Sequence, residues 1–347
     1  MIKNLLSGVV IFLLLTLLGC NGCKRTKSRP KPDVSNVQVD LQWLDFSSDF
    51  EKFPQPSFEQ WRTSMRTRYA DFYDFYIAEM VIGPRPVGDT ADIEQQAITS
   101  FLADAYVNKI EAGIKREFAD TKDVQADLTQ AFLYFKHYFP QFKEPQIIAF
   151  NSLYQAGVSP FGQDKFVVGL DMFLGANNPD YDSAGVYAYI RHKMRREYIA
   201  RFTIEALYND YFYTEQDNQN LIEAITERGK EIYFLSMILP EAPDSLLLGY
   251  TQAQTDWCYS SEKSIWQFMN DKDLLYKSNA MDKTRYLSEG PTTSGMPVDA
   301  PGNIGNFIGW QIVKKFMENN GNEISLNDLI LKHDAASIFA KAKYRPQ

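Results

Sequence analysis

The chain has 347 residues, 45% of them apolar, with 20 tyrosines and 24 phenylalanines. That load supports a packed body of one large or two small domains and excludes a disordered chain. A formal charge of −8 lacks the basic surface that nucleic acid demands, so no nucleic-acid partner is expected.

The chain opens with Lys3 and then an almost wholly apolar run, Leu5 to Gly19, too short to span a membrane comfortably and suited to a signal peptide. The run ends Leu17-Leu18-Gly19-Cys20, which resembles the bacterial lipobox, where a cysteine is acylated and becomes the mature N-terminus. Residues 1–19 are therefore expected to be a lipoprotein signal peptide, with Cys20 as the lipid-bearing residue. One acyl chain holds a membrane weakly, so a firm anchor needs several on Cys20. Residues 20–37 follow as a tether whose stretch "KRTKSRPKP" (24–32) is basic and free of acid. The body from Asp33 onward then carries −14, and an anionic membrane surface would repel it. Cys23 and Cys258 either pair in an oxidising compartment or remain free thiols.

Residues 38–347 read as a single mainly helical domain. Apolar residues recur at helical spacing over Phe58–Met80, Ile93–Phe118 and Asp123–Tyr138. "PQIIAFNSL" (145–153) and "GQDKFVVGLDMFLG" (162–175) read as strands on either side of a turn at Gly157–Gly162. A long helix is expected from Gly185 to Tyr213, with others over 219–239, 251–269, 303–319 and 334–342. Gly, Pro, Ser and Thr crowd 282–302, which reads as a long loop. Gly229 inside a helical run costs about 1 kcal/mol relative to alanine, which points to a close packing contact there. The pattern is α+β and predominantly helical, with one small sheet.

Chemistry-bearing motifs are sparse. The chain has no nucleophile elbow, phosphate loop or dinucleotide fingerprint. The stretch "RHKMRREYIA" (191–200) invites comparison with a His-Glu-x-x-His zinc helix. His192 stands at the first histidine, Lys193 at the glutamate and Arg196 at the second histidine. Lys193 is a poor base near neutral pH, and Arg196 has no lone pair for a metal. The other histidines, His137 and His333, lie in unrelated segments. Lys193 with Glu197, and Arg201 with Glu205, fit i, i+4 pairs on a helix surface.

Several segments together resemble the gliding-motility lipoprotein GldB family of Bacteroidetes bacteria. They are "FVVGLDMFLGANNPDY" (166–181), "ERGKEIYFLSMILPEAPDSLLLGYTQAQTDWC" (227–258), "NIGNFIGWQIVKKFMEN" (303–319) and "AKYRP" (342–346). The resemblance implies a membrane-anchored component required for gliding motility and for the associated secretion of surface adhesins, with no enzymatic activity. It also implies a degenerate body like that of zincin-type peptidases, with hairpin 146–170 and a vacated zinc helix at 192–196. The third-ligand segment would be Arg228 to Glu231. On this reading His192, Lys193, Arg196, Glu227 and Glu231 mark the vacated positions, and no metal or cofactor is expected. Arg196 either pairs with Glu227 or Glu231 across the former site, or the charges stay solvated apart. Partners would be the membrane, through the lipid, and proteins of the gliding and secretion machinery, with the body facing the periplasm. The contact surfaces considered are the loop 282–302 and the aromatics Tyr250, Trp257, Tyr259 and Trp266, whose other reading is core packing. The alternative function is a zincin-like hydrolase, or a peptide- or glycan-binding protein, of the envelope.

Overall fold

The computed structural model describes residues 31–346 apart from 55–56, 84–90 and 215–218; the signal run, Cys20 and Cys23 lie outside the described residues. At the centre stands a four-stranded sheet of order β1-β2-β4-β3. Its strands are β1 (Gln42–Asp45), β2 (Gln146–Phe150), β3 (Val158–Phe161) and β4 (Lys165–Gly169). β1, β2 and β4 run parallel, and β3 returns antiparallel against β4 through a turn in which Gly162 adopts φ +66°. The two expected strands are present as β2 and β4. β1 and β3 are four residues each, too short to show a period, and Pro160 places β3 at an edge, where a missing N–H does no harm.

Alternate residues of β2 and β4 feed two cores. Ile148, Phe150 and Val167 face one side; Ile147, Ala149, Phe166 and Val168 face the other. Helices cover both faces, which is why these strands read as continuous apolar runs. Over the first face lie α1 (Phe46–Phe50), α2 (Phe58–Tyr69), α3 (Asp71–Tyr76) and α4 (Ala91–Ala103). The single helix expected over Phe58–Met80 breaks at Ala70, which takes φ +49°, and α3 runs on as a π-helical turn, Ile77–Ile82. Phe46 sits at the centre of this core, its ring centroid 4.9, 5.0 and 4.7 Å from those of Tyr69, Phe72 and Tyr76.

Over the second face pack α5 (Ala105–Glu117) and α6 (Lys122–Tyr138), then a short α7 (Asp180–Ser183) and α8 (Ile199–Tyr211). Asp104 caps α5 by accepting from the N–H groups of Tyr106 and Val107, and this cap divides the helix expected over Ile93–Phe118. After α9 (Leu221–Ile238) come α10 (Asp244–Leu248), α11 (Gln252–Asp271), α12 (Ala280–Leu287), α13 (Gly305–Asn320), α14 (Leu326–Lys332) and α15 (Ala335–Ala342). The expected helices over 219–239, 251–269, 303–319 and 334–342 all form. α12 takes the first part of the expected loop.

α9 and α13 cross in backbone contact. A Cβ on Gly229 would lie 2.1 Å from the Gly309 carbonyl oxygen, and one on Gly309 would lie 1.9 Å from that of Ile225. The close contact expected of Gly229 is therefore present, with a second glycine opposite it. The fold is α+β, predominantly helical, with one small sheet.

Candidate functional site

The expected helix from Gly185 to Tyr213 is α-helical only from Ile199. Residues Ala188–Lys193 and Arg196–Tyr198 form 3-10 turns, with Arg195 extended between them at φ −137°, ψ 149°. The Met194 carbonyl accepts from the Gly175 N–H at 2.9 Å, and Leu174 bridges Arg195. These tertiary bonds override the good helix propensity of Lys and Arg. His192 and Arg196 therefore do not share a helix face, and the expected placement of a zinc helix at 192–196 is corrected.

Arg196 does not reach Glu227 or Glu231 either. Its guanidinium donates to the carbonyls of Glu117 (2.8 Å) and Asp120 (2.7 Å), pairs with Asp123 and lies over the Phe118 ring. It ties the α5–α6 link to the 3-10 segment. Its orphaned positive charge at the core is thus avoided locally, because the last carbonyls of α5 attract a cation. His192 Nε2 sits 3.1 Å from the Gly249 carbonyl oxygen, and burial lowers its pKa. Lys193 is buried and bonds Glu289 Oε1 at 2.6 Å. Burial lowers the lysine pKa, with Glu289 opposing that shift. Glu227 pairs with Lys230 at 3.2 Å, within α9.

The polar centre of the second core lies one helix turn further on. Arg201 and Glu205 stand i, i+4 on α8, facing Arg228 and Glu231 on α9. Arg201 Nη1 donates to Glu205 Oε2, and Arg228 Nη1 donates to Glu231 Oε2. Arg228 Nη2 stands 3.8 Å from Glu205 Oε1, so guanidinium and carboxyl groups alternate along the row Arg201–Glu205–Arg228–Glu231. The Arg201 and Glu231 side chains are only 6% and 2% exposed. Burial opposes the ionised form of Glu205, and Arg201 and Arg228 overcome it, holding the carboxyl down to about 2. Burial pushes Glu231 up to about 8, with Arg228 opposing the rise and Glu205 adding to it. The two carboxyls are thus driven apart in titration, with burial and Glu205 opposing ionisation of Glu231 while the arginines favour that of Glu205.

Arg201 and Glu205 are visible in the sequence as a pair at helical spacing on a helix surface, whereas Arg228 and Glu231 are visible only as the expected third-ligand segment. Burial comes only from the packing of α8 on α9, so the sequence carries no signal for the meeting of the two pairs. Glu205 also forms part of a shallow cleft of about 410 Å³, whose walls include Val158 and Pro160 of the edge strand and Phe202, Ala206 and Asn209 of α8. Among the described residues, no group of three or more His, Cys, Asp and Glu side chains is placed to hold a metal ion. An arginine at each carboxylate instead fills the space with fixed positive charge.

The aromatics expected to be surface or core divide. Tyr250 is buried and donates to the Asn303 carbonyl at 2.8 Å. Trp257 is partly buried against the second core, and Trp266 packs edge-on to Tyr344 with centroids 5.0 Å apart. Tyr259 is partly exposed and donates to Asp244 at 2.5 Å. Cys258 is buried and, among the described residues, has no disulfide partner. Among the described residues, no helix is long and apolar enough to cross a membrane.

A family model described as gliding motility protein GldB matches residues 27–346, so the chain belongs to the GldB gliding-motility family. No curated protein and no solved structure matches it.

Proposed function

We propose that this member of the gliding-motility family is a non-catalytic lipoprotein that works by holding a folded docking body at the membrane. Acyl chains on Cys20 supply the anchor, and the body faces the periplasm. Its partners are proteins of the gliding machinery and of the secretion route that gliding uses. The observation that carries the non-catalytic reading is the quartet Arg201, Glu205, Arg228 and Glu231. Each carboxyl of the quartet is held by an arginine of the same chain, which leaves neither of the two free to bind a metal.

The quartet also supports a refined pseudo-zincin reading. An i, i+4 pair on one helix facing an acidic residue on the next is the arrangement a zinc helix uses. Here that arrangement falls at Arg201 and Glu205 with Glu231, rather than at His192 and Arg196. The purified chain should then bind no zinc in equimolar amount. One zinc per chain that disappears in Glu205→Gln would reverse both readings.

The functional test is genetic. Deleting the gene should abolish colony spreading and adhesin secretion, and the wild-type gene should restore both. A gene carrying Cys20→Ala should restore neither and should leave the protein out of the membrane fraction. Normal spreading in the deletion strain would defeat the proposal.

A further inference from the structure

The sheet ends at β3, and no strand of the described residues lies beyond it. The Gly169 N–H donates to the Gly157 carbonyl at 2.7 Å. In the antiparallel register Val158 stands opposite Val168 and Pro160 opposite Phe166. Bonded and non-bonded pairs alternate in such a ladder, so Ser159 and Phe161 turn their backbone groups toward β4, and Val158 and Pro160 turn theirs outward. Pro160 has no N–H to offer. The open edge therefore presents one donor, the Val158 N–H, and two acceptors, the carbonyls of Val158 and Pro160.

The cleft of about 410 Å³ lies between this edge and α8, with Val158 and Pro160 on the strand side. The helix side is apolar at Phe202 and Ala206 and acidic at Glu205 and Asp210. Phe202, Glu205 and Ala206 are only partly buried and Asp210 is exposed, so this stripe of α8 is left uncovered. No lysine or arginine is among the described residues that line the cleft. Arg201 and Arg228 hold Glu205, whereas Asp210 enters no ion pair among the described residues. At the end of α8 the Tyr211 hydroxyl donates to the Gln163 carbonyl at 3.3 Å. Burial raises the Tyr211 pKa, and the charges of Asp210 and Asp164 add to the rise, as a negative rim requires. An unpaired strand edge is a template for a further strand. Backbone bonds supply affinity there, and alternate side chains supply the choice of partner.

We propose that this cleft is a docking groove for an extended, basic segment of a partner protein. The segment adds beside β3 as a fifth strand, lays an apolar side chain on Phe202 and Ala206, and sets a lysine or arginine against Asp210. The proposal rests on the reading that this body acts through protein contacts, and it adds the face and the partner's chemistry. The test uses the full lipidated chain, expressed in the deletion strain with a photoreactive phenylalanine at exposed Asn209, which also lines the cleft. Irradiation should give a cross-linked species that is not twice the chain's mass, and mass spectrometry should find the attached segment richer in Lys and Arg than in Asp and Glu. Its yield should fall at least tenfold in Val158→Pro, which removes the outward N–H and leaves the bonds of β3 to β4 in place. Val158→Thr keeps that N–H and should keep the product. Asp210→Lys, at an exposed position, should lower the yield severalfold, and Leu331→Lys, exposed on α14, should leave it unchanged. Should Val158→Pro reduce the amount of folded chain, Asp210→Lys decides. No product, a product of two chain masses, an attached segment without that basic excess, or a product that persists in folded Val158→Pro or in Asp210→Lys overturns the proposal. Because the cross-link is read independently of spreading, normal spreading on deletion would sink the motility reading and leave the groove to be decided by the product alone.

Discussion

On one face of the sheet Phe46 meets Tyr69, Phe72 and Tyr76 edge to face, and the carboxylates nearby, Asp49 and Glu94, are separate, each paired with one arginine, Arg68 and Arg62. On the other face two arginine–carboxyl pairs meet across α8 and α9, with Arg201 and Glu231 buried and Glu205 and Arg228 partly exposed. The first face draws its stability from apolar area and ring geometry, and most of that is additive and indifferent to pH. The second face encloses charges whose net contribution is small while complete and whose loss one at a time is costly. Burial alone therefore does not say what a core is for.

Three measurements would break or sharpen this contrast. The largest effect is expected on the aromatic face. Phe46→Ala should cost about 4 kcal/mol in chemical denaturation, because four ring contacts vanish around a fully buried side chain. A loss under about 2 kcal/mol would mean that this face collapses into the gap and is not tightly packed. On the charged face, Arg228→Met alone should cost about 3 kcal/mol, since Glu231 and Glu205 lose their shared cation. Combining Arg228→Met with Glu231→Leu should bring the loss back within about 1 kcal/mol of wild type. If the two losses add instead, the quartet is not a unit.

The smallest effect is the pH slope. Glu231 has its folded pKa raised above the ordinary carboxylate value, so its contribution is complete below about 4.3 and fades as pH rises through about 8. Between roughly pH 7 and pH 9 wild type should lose about 1.4 kcal/mol that Glu231→Gln does not lose. Glu111 and Asp171, raised by burial to about 7 and about 6, fade mostly below that window. Glu205, held low, loses its contribution only as acid takes the pH toward about 2. Parallel slopes for wild type and the variant would show that Glu231 holds no proton at neutrality.

Much of the architecture was legible in local pattern. The apolar runs of β2 and β4, the helices expected over 219–239 and 251–269, and Gly229 all point correctly to what forms. The errors share a cause. Residues 185–198 have the composition of a helix, yet Gly175 and Leu174 hold Met194 and Arg195 in an extended bend, and no local pattern encodes a partner twenty residues away. Arg196 likewise reads as a candidate for the polar centre, but it is drawn to the end of α5. Arg201 and Glu205 were visible as a pair, and their burial was not, because it depends on α9 lying across them.

The sheet also sets a timetable. β1 pairs in parallel with β2, and the side chains of Gln42 and Gln146, 104 residues apart, bond across them at 2.9 Å. A chain made from its N-terminus completes β1 long before its neighbour exists. Until β2 emerges, β1 has an open edge and the residues around Phe46 lack a sheet to lie on. So long a closure slows folding, and β1 waits unpaired while the 104 residues up to its partner are still being added.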